Sequence, residues 1–170
     1  MKFRHVAAVV ALSSLAAASL SAQAIKRLGL HDSWEANVSG SGSQQVCFMV
    51  SEPTKTEPAD AKRGTVQAFV SHRPGEKARD VVSVTLGYPI KPGSEVRASV
   101  GNRTFNLFTR GESAWAKDNA ADKALVQAMT SGFTMTVAGE SERGTKTVDT
   151  YSLKGFSAAY REIGKACGIK

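Results

Sequence analysis

Val81-Val82-Ser83-Val84-Thr85-Leu86-Gly87-Tyr88 sets the class of the fold. Its β-branched residues fit a pleated, half-buried surface better than a helix. The Pro89-Ile90-Lys91-Pro92-Gly93 run that follows stops it with prolines that cannot donate to a ladder. Moving toward the N terminus, Thr65 to His72 alternates as a second strand, stopped by Pro74-Gly75. Residues 51 to 63, with Pro53, Pro58 and several charges, read as an exposed loop. Before it, Gln45 to Val50 forms a more buried strand, separated by the Gly40-Ser41-Gly42-Ser43 turn from a weakly alternating strand over Trp34 to Val38.

Moving toward the C terminus, Glu95 to Val100 and Arg103 to Phe108 predict a hairpin across Gly101-Asn102, a dipeptide that accepts positive φ. From Asp118 the period lengthens: Ala121, Ala124, Leu125, Ala128 and Met129 fall on one helical face, with Asp118 or Asn119 as the cap and Gly132 as the stop. Phe133 to Ala138 returns to strand and Glu140 to Gly144 is a polar turn. Thr145 to Leu153 alternates again, with Val148, Thr150 or Tyr151 and Leu153 available to pack, and Gly155 ends it. Phe156, Ala159, Tyr160, Ile163 and Cys167 then form the stripe of a last helix. About eight strands and two short helices, the second C-terminal, predict a mainly antiparallel β-sandwich or open barrel.

The first residues read differently. Lys2 and Arg4 precede an apolar run from Val6 to Leu20, which is shorter than the roughly 20 residues of a membrane span. Ser21-Ala22-Gln23-Ala24 then places small residues at the positions a signal peptidase reads. Residues 1–24 are thus expected to be a signal peptide cleaved after Ala24, leaving 25–170 as one β-rich domain in the periplasm or cell envelope. Cys47 and Cys167 are the two cysteines of the chain. In an oxidising compartment they most simply form one structural disulfide, fastening an early strand to the final helix. The formal charge of +7, part of it from Lys2 and Arg4, is spread among acidic residues and reads first as a soluble surface.

No catalytic residues, metal ligands or cofactor site emerge. Beyond the expected leader the histidines are His31 and His72, far apart and without zinc spacing, and they read as ordinary surface residues. Gly155-Phe156-Ser157-Ala158-Ala159 lacks the second glycine of a nucleophile elbow, and neither Asp nor His follows residue 160. Gly40-Ser41-Gly42 lacks the lysine and helix of a phosphate cradle. Glu140 with Glu142 and Asp118 with Asp122 read as solvated turn and helix-start carboxylates. Trp115 beside Lys117 and Tyr88 beside Lys91 could touch a polymer, but suit core anchoring better.

Together, Trp34, Cys47-Phe48-Met49, the Val-rich strand from Asp80 to Leu86 with Tyr88-Pro89-Ile90-Lys91-Pro92-Gly93, and Tyr151-Ser152-Leu153-Lys154-Gly155-Phe156-Ser157-Ala158-Ala159 resemble the invasion-associated locus B family of proteobacterial exported proteins. The Gly-Phe followed by small residues is the most telling part. Many members carry a further cysteine pair in the second half. Arg110 to Gly132 has none here, which makes this a divergent member. The resemblance implies a periplasmic or envelope-associated domain, linked by name to host-cell entry, and it transfers no active site. The first expectation is therefore a non-enzymatic β domain that binds or supports an envelope component or protein, with any part in invasion indirect. Two alternatives stand beside it: an exported hydrolase with an unrecognised site, and a basic surface that binds anionic lipopolysaccharide or other polyanions. Specific nucleic-acid binding is not expected.

Overall fold

A computed structural model describes residues 24–169, so the expected leader, apart from Ala24, lies outside the described residues. The strands are β1 (Ile25–His31), β2 (Trp34–Ser39), β3 (Val46–Ser51), β4 (Lys55–Glu57), β5 (Gln67–Arg73), β6 (Ala78–Thr85), β7 (Val96–Val100), β8 (Arg103–Arg110), β9 (Ser113–Ala116), β10 (Thr134–Glu140) and β11 (Lys146–Ser152). The helices are α1 (Asn119–Ser131) and α2 (Phe156–Ala166).

The mainly antiparallel β architecture, with its second helix last among these elements, is as the sequence predicts. The strands, eleven rather than about eight, join one open sheet in the order β1-β2-β3-β5-β6-β9-β8-β7-β10-β11-β4. Its ends curl toward each other without closing a ladder: Ser33 N–H, between β1 and β2, donates to the Lys154 carbonyl just beyond β11 at 3.3 Å.

The strong strand behaves as its pattern requires. Val82, Val84 and Leu86 alternate inward and pack with Met49, Val70 and Ala114 from neighbouring strands. Gly101, at φ 59°, makes the β7–β8 hairpin that the Gly-Asn pair predicts. Asp118 caps α1, its carboxylate accepting from Ala121 N at 2.8 Å. Leu125, Ala128 and Met129 of α1 are buried, and the helix packs on β6, β8 and β9. α2 covers β1, β2, β3 and β5.

Three strands are additions. β1 is an edge strand whose burial does not alternate cleanly, β9 has only four residues, and β4 lies inside the stretch read as an exposed loop. That loop is also not wholly exposed, since Ser51 and the Arg63 side chain are buried. In β11 the inward set is Thr147, Asp149 and Tyr151, continued by Leu153, so Val148 faces outward. A polar Asp149 can occupy the inward phase because Arg63 meets it there.

Candidate functional site

The late Gly-Phe is the point where the last helix is anchored. Gly155 turns the chain at φ 84°, a region that favours glycine, and Phe156 then meets Trp34 edge to face, with ring centroids 5.0 Å apart and planes at 90°. The Trp34 indole N–H donates to the Ser152 carbonyl at 3.0 Å. One turn along α2, Tyr160 stacks against Phe156 and reaches the His72 ring at 5.5 Å. At the end of the helix Cys167 is bonded to Cys47, with Cα atoms 5.9 Å apart. The expected disulfide therefore joins β3 to the end of α2.

Cys47 lies opposite His72 in the β3–β5 ladder. His72 is not a surface histidine: strand pairing and the covering helix leave its side chain fully buried. Its Nδ1 accepts from the Asp80 backbone N–H at 3.1 Å. That bond requires a lone pair on Nδ1, so the proton of the neutral ring sits on Nε2. The Asp80 carboxylate is 3.8 Å from Nδ1, too far to compete with the backbone bond. Burial lowers the pKa of His72, in keeping with the neutral ring.

Asp80, at φ 62° beside a register shift in β5–β6, turns its carboxylate to the Tyr160 hydroxyl, with Arg79 Nε at 3.6 Å. Burial, reinforced by the bond to Asp80, pushes Tyr160 up to about 12. Asp122, read from sequence as solvated, is buried instead. Its carboxylate accepts from Val82 N at 2.8 Å, and desolvation raises its pKa to about 6. α1 docks on β6 through this carboxylate, which is why the helix start is only half solvated.

The remaining candidates disperse. Glu140 meets Lys91 Nζ at 2.7 Å, which holds its carboxyl low, while Glu142 is exposed. Tyr88 is buried, its hydroxyl 2.6 Å from Thr147 Oγ1, and so is a core anchor. Trp115 stays half-buried and stacks on the exposed Phe108 at 5.5 Å. His31 pairs with Glu162 on α2. Sequence reading missed the Arg63–Asp149 pair, a two-pronged contact almost wholly buried, with one N–H···O at 2.8 Å. Its one signal is an Asp at the inward phase of a strand.

Two of the cavities that adjoin these groups are the most relevant. One, of about 360 Å³, is bordered by Arg63, Tyr88 and Thr147 with Lys62 and Arg143 at the rim. The other, of about 560 Å³, lies under the end of α2 against His72 and Tyr160. Around His72 the arrangement suits binding better than bond making: Nδ1 is already occupied by a backbone N–H, and the neighbouring hydroxyl of Tyr160 is bonded to Asp80. Among the described residues there is no group of three or more His, Cys, Asp or Glu that could hold a metal ion.

The residues that build this anchor fall within a longer match: the family model described as invasion associated locus B (IalB) protein covers residues 34–164. The chain belongs to the IalB family. No curated protein and no solved structure matches it. The IalB match runs from Trp34 at the start of β2 into the last turn of α2, and so takes in His72, Asp80 and Tyr160. It includes Cys47 and ends just before Cys167. No helix among the described residues of this IalB protein is long and apolar enough to cross a membrane.

Proposed function

We propose that this IalB-family protein works in the periplasm or cell envelope as a non-catalytic β domain that binds or supports envelope components, and that any part in host-cell invasion is indirect. Family membership over residues 34–164 carries the reading. The Cys47–Cys167 bridge supports it, because structural disulfides persist in oxidising compartments.

The test is to fractionate cells that express the full chain, alkylate before lysis, and sequence the N terminus of the recovered protein. The expected result is an envelope-fraction protein that begins at Ile25 and has no alkylatable thiol. A cytosolic protein that retains residues 1–24 and two reactive thiols would overturn the reading. Crosslinking in the envelope fraction, followed by pull-down of the processed protein, then identifies what it contacts.

A further inference from the structure

The cavity bordered by Arg63 and Tyr88 gathers hydrogen-bond donors that the fold leaves unused. Its volume, about 360 Å³, lies within the range of small-molecule sites. A guanidinium can offer a carboxylate either its two terminal nitrogens or the edge that carries Nε. In Arg63 the terminal nitrogens are spent: Nη1 and Nη2 meet the two Asp149 oxygens, and Nη1 also faces the Leu86 carbonyl at 3.5 Å. Arg63 Nε has no partner among the described residues, yet it is not sealed, because His72 Nε2 is the one buried side-chain nitrogen or oxygen left unpaired there. An open donor thus stands on a side chain only 6% exposed, held in place by Asp149, and that side chain lines the cavity.

The backbone beside it supplies two more donors. Leu86 N–H and Ile90 N–H donate to the Glu112 and Gly111 carbonyls at 2.9 and 3.0 Å, whereas the N–H groups of Gly87 and Tyr88 between them donate to nothing among the described residues. Both residues are buried and both border the cavity. Gly87 lies at φ 71°, and successive N–H groups at such a turn form an anion-binding concavity. Buried donors left unmade cost about 1–3 kcal/mol each, so an acceptor brought to them is favoured.

The charges select the kind of anion. Asp149 balances Arg63. At the exposed rim Lys62 and Arg143 face one carboxylate, Glu142, and none of the three joins an ion pair among the described residues. The surplus is one positive charge, which suits a monoanion. We infer that this cavity binds the carboxylate group of a small ligand, which accepts from Arg63 Nε–H and from the Gly87 and Tyr88 N–H groups, while Ala61 and Pro89 cover the apolar part of the same molecule. A peptide C terminus and a small organic acid present the same chemistry to these donors, and the experiment separates them.

The full processed protein, labelled with ¹⁵N-arginine, is titrated with N-acetyl-alanyl-alanine, with its C-terminal amide and, at matched ionic strength, with sodium chloride. The expected result is a saturable displacement of the Arg63 Nε–H resonance by the free acid alone. In the Arg63→Met/Asp149→Leu variant, which removes the guanidinium without stranding its partner, the apparent affinity should fall about tenfold or more, with the fold checked by urea unfolding. If that variant fails to fold, the Nε–H response of the parent decides. Propionate that displaces the peptide at equal concentration assigns a small organic acid as the source, and propionate that does not displace it assigns a peptide C terminus. Absence of a saturable Arg63 response, an equal response to the amide, or unchanged affinity in the folded double variant overturns the site. The titration does not depend on where the protein resides, so this site and the proposed function can fail separately.

Discussion

Gly155 faces the main chain of His31 so closely that a Cβ built on it would stand 1.9 Å from the His31 carbonyl oxygen. Two constraints meet at this glycine, a positive φ and a backbone wall, whereas Gly144, at φ 82°, has only the first and open space around it. Gly155→Ala is expected to cost about 3 kcal/mol or more. Gly144→Ala is expected to cost only about 1 kcal/mol. Urea unfolding of the two variants measures the difference, and equal losses would show that the His31 contact contributes nothing.

The bridge spans 120 residues of chain. In the chain-entropy model a loop of that length is worth about 4–5 kcal/mol, less any native-state strain. Cys47→Ser and Cys167→Ser should each lower stability by a few kcal/mol, and reductant should lower the parent to the same level. Titratable thiols in the native, unreduced protein would contradict the pairing.

Arg63 and Asp149 should behave as a unit. Arg63→Met strands a buried carboxylate and is expected to cost about 3–5 kcal/mol. Adding Asp149→Leu removes the stranded charge and should recover most of that loss. A double-mutant cycle by denaturant unfolding reads the coupling, and strictly additive losses would show the two side chains to be independent.

Asp122 makes stability depend on pH in an uncommon direction. In the folded protein burial holds its pKa near 6, against 3.8 in the unfolded chain, with Asp80 and Asp118 adding repulsion. Between those values the folded state holds the extra proton. The contribution of this carboxyl is therefore fullest below 3.8 and is lost as pH rises through 6. Asp122→Asn keeps an acceptor for Val82 N without the charge. It should stabilise the protein by about 1–3 kcal/mol at pH 8 and give no such gain at pH 3. The same difference at both pH values would sink the assignment.

His72 contributes with the opposite slope. Its folded pKa is lowered from 6.5, chiefly by burial, so its contribution is complete above 6.5 and is lost as falling pH protonates the unfolded chain first. Imidazole ¹⁵N shifts should report a neutral ring, protonated at Nε2, at pH 6.5. A doubly protonated His72 at that pH would contradict the bond from Asp80 N.

The strands around Val82 were legible because their inward side chains are apolar at every second position. β1 was not, since an edge strand keeps one side in solvent and here covers little core, with Ile25 and Leu30 exposed. β4 hides in a proline-containing loop because its three residues owe their pairing to Thr150 and its neighbours, far along the chain. The phase of β11 was ambiguous for a related reason: Asp149 is inward only because Arg63 comes to it. At the site, Tyr160 was legible on the stripe of the last helix. The burial of His72 was not, because the helix that covers it lies nearly ninety residues away, a separation that local pattern does not see.

The position of Cys167 fixes a schedule as well as a shape. It follows every strand of the sheet in chain order. While the polypeptide is being made or threaded through a pore from its N terminus, Cys47 must wait unpaired until all the strands have emerged. During that interval it is open to capture by any other thiol, so the yield of correctly oxidised molecules will be governed by the late arrival of one helix, and a catalyst of disulfide exchange should raise it.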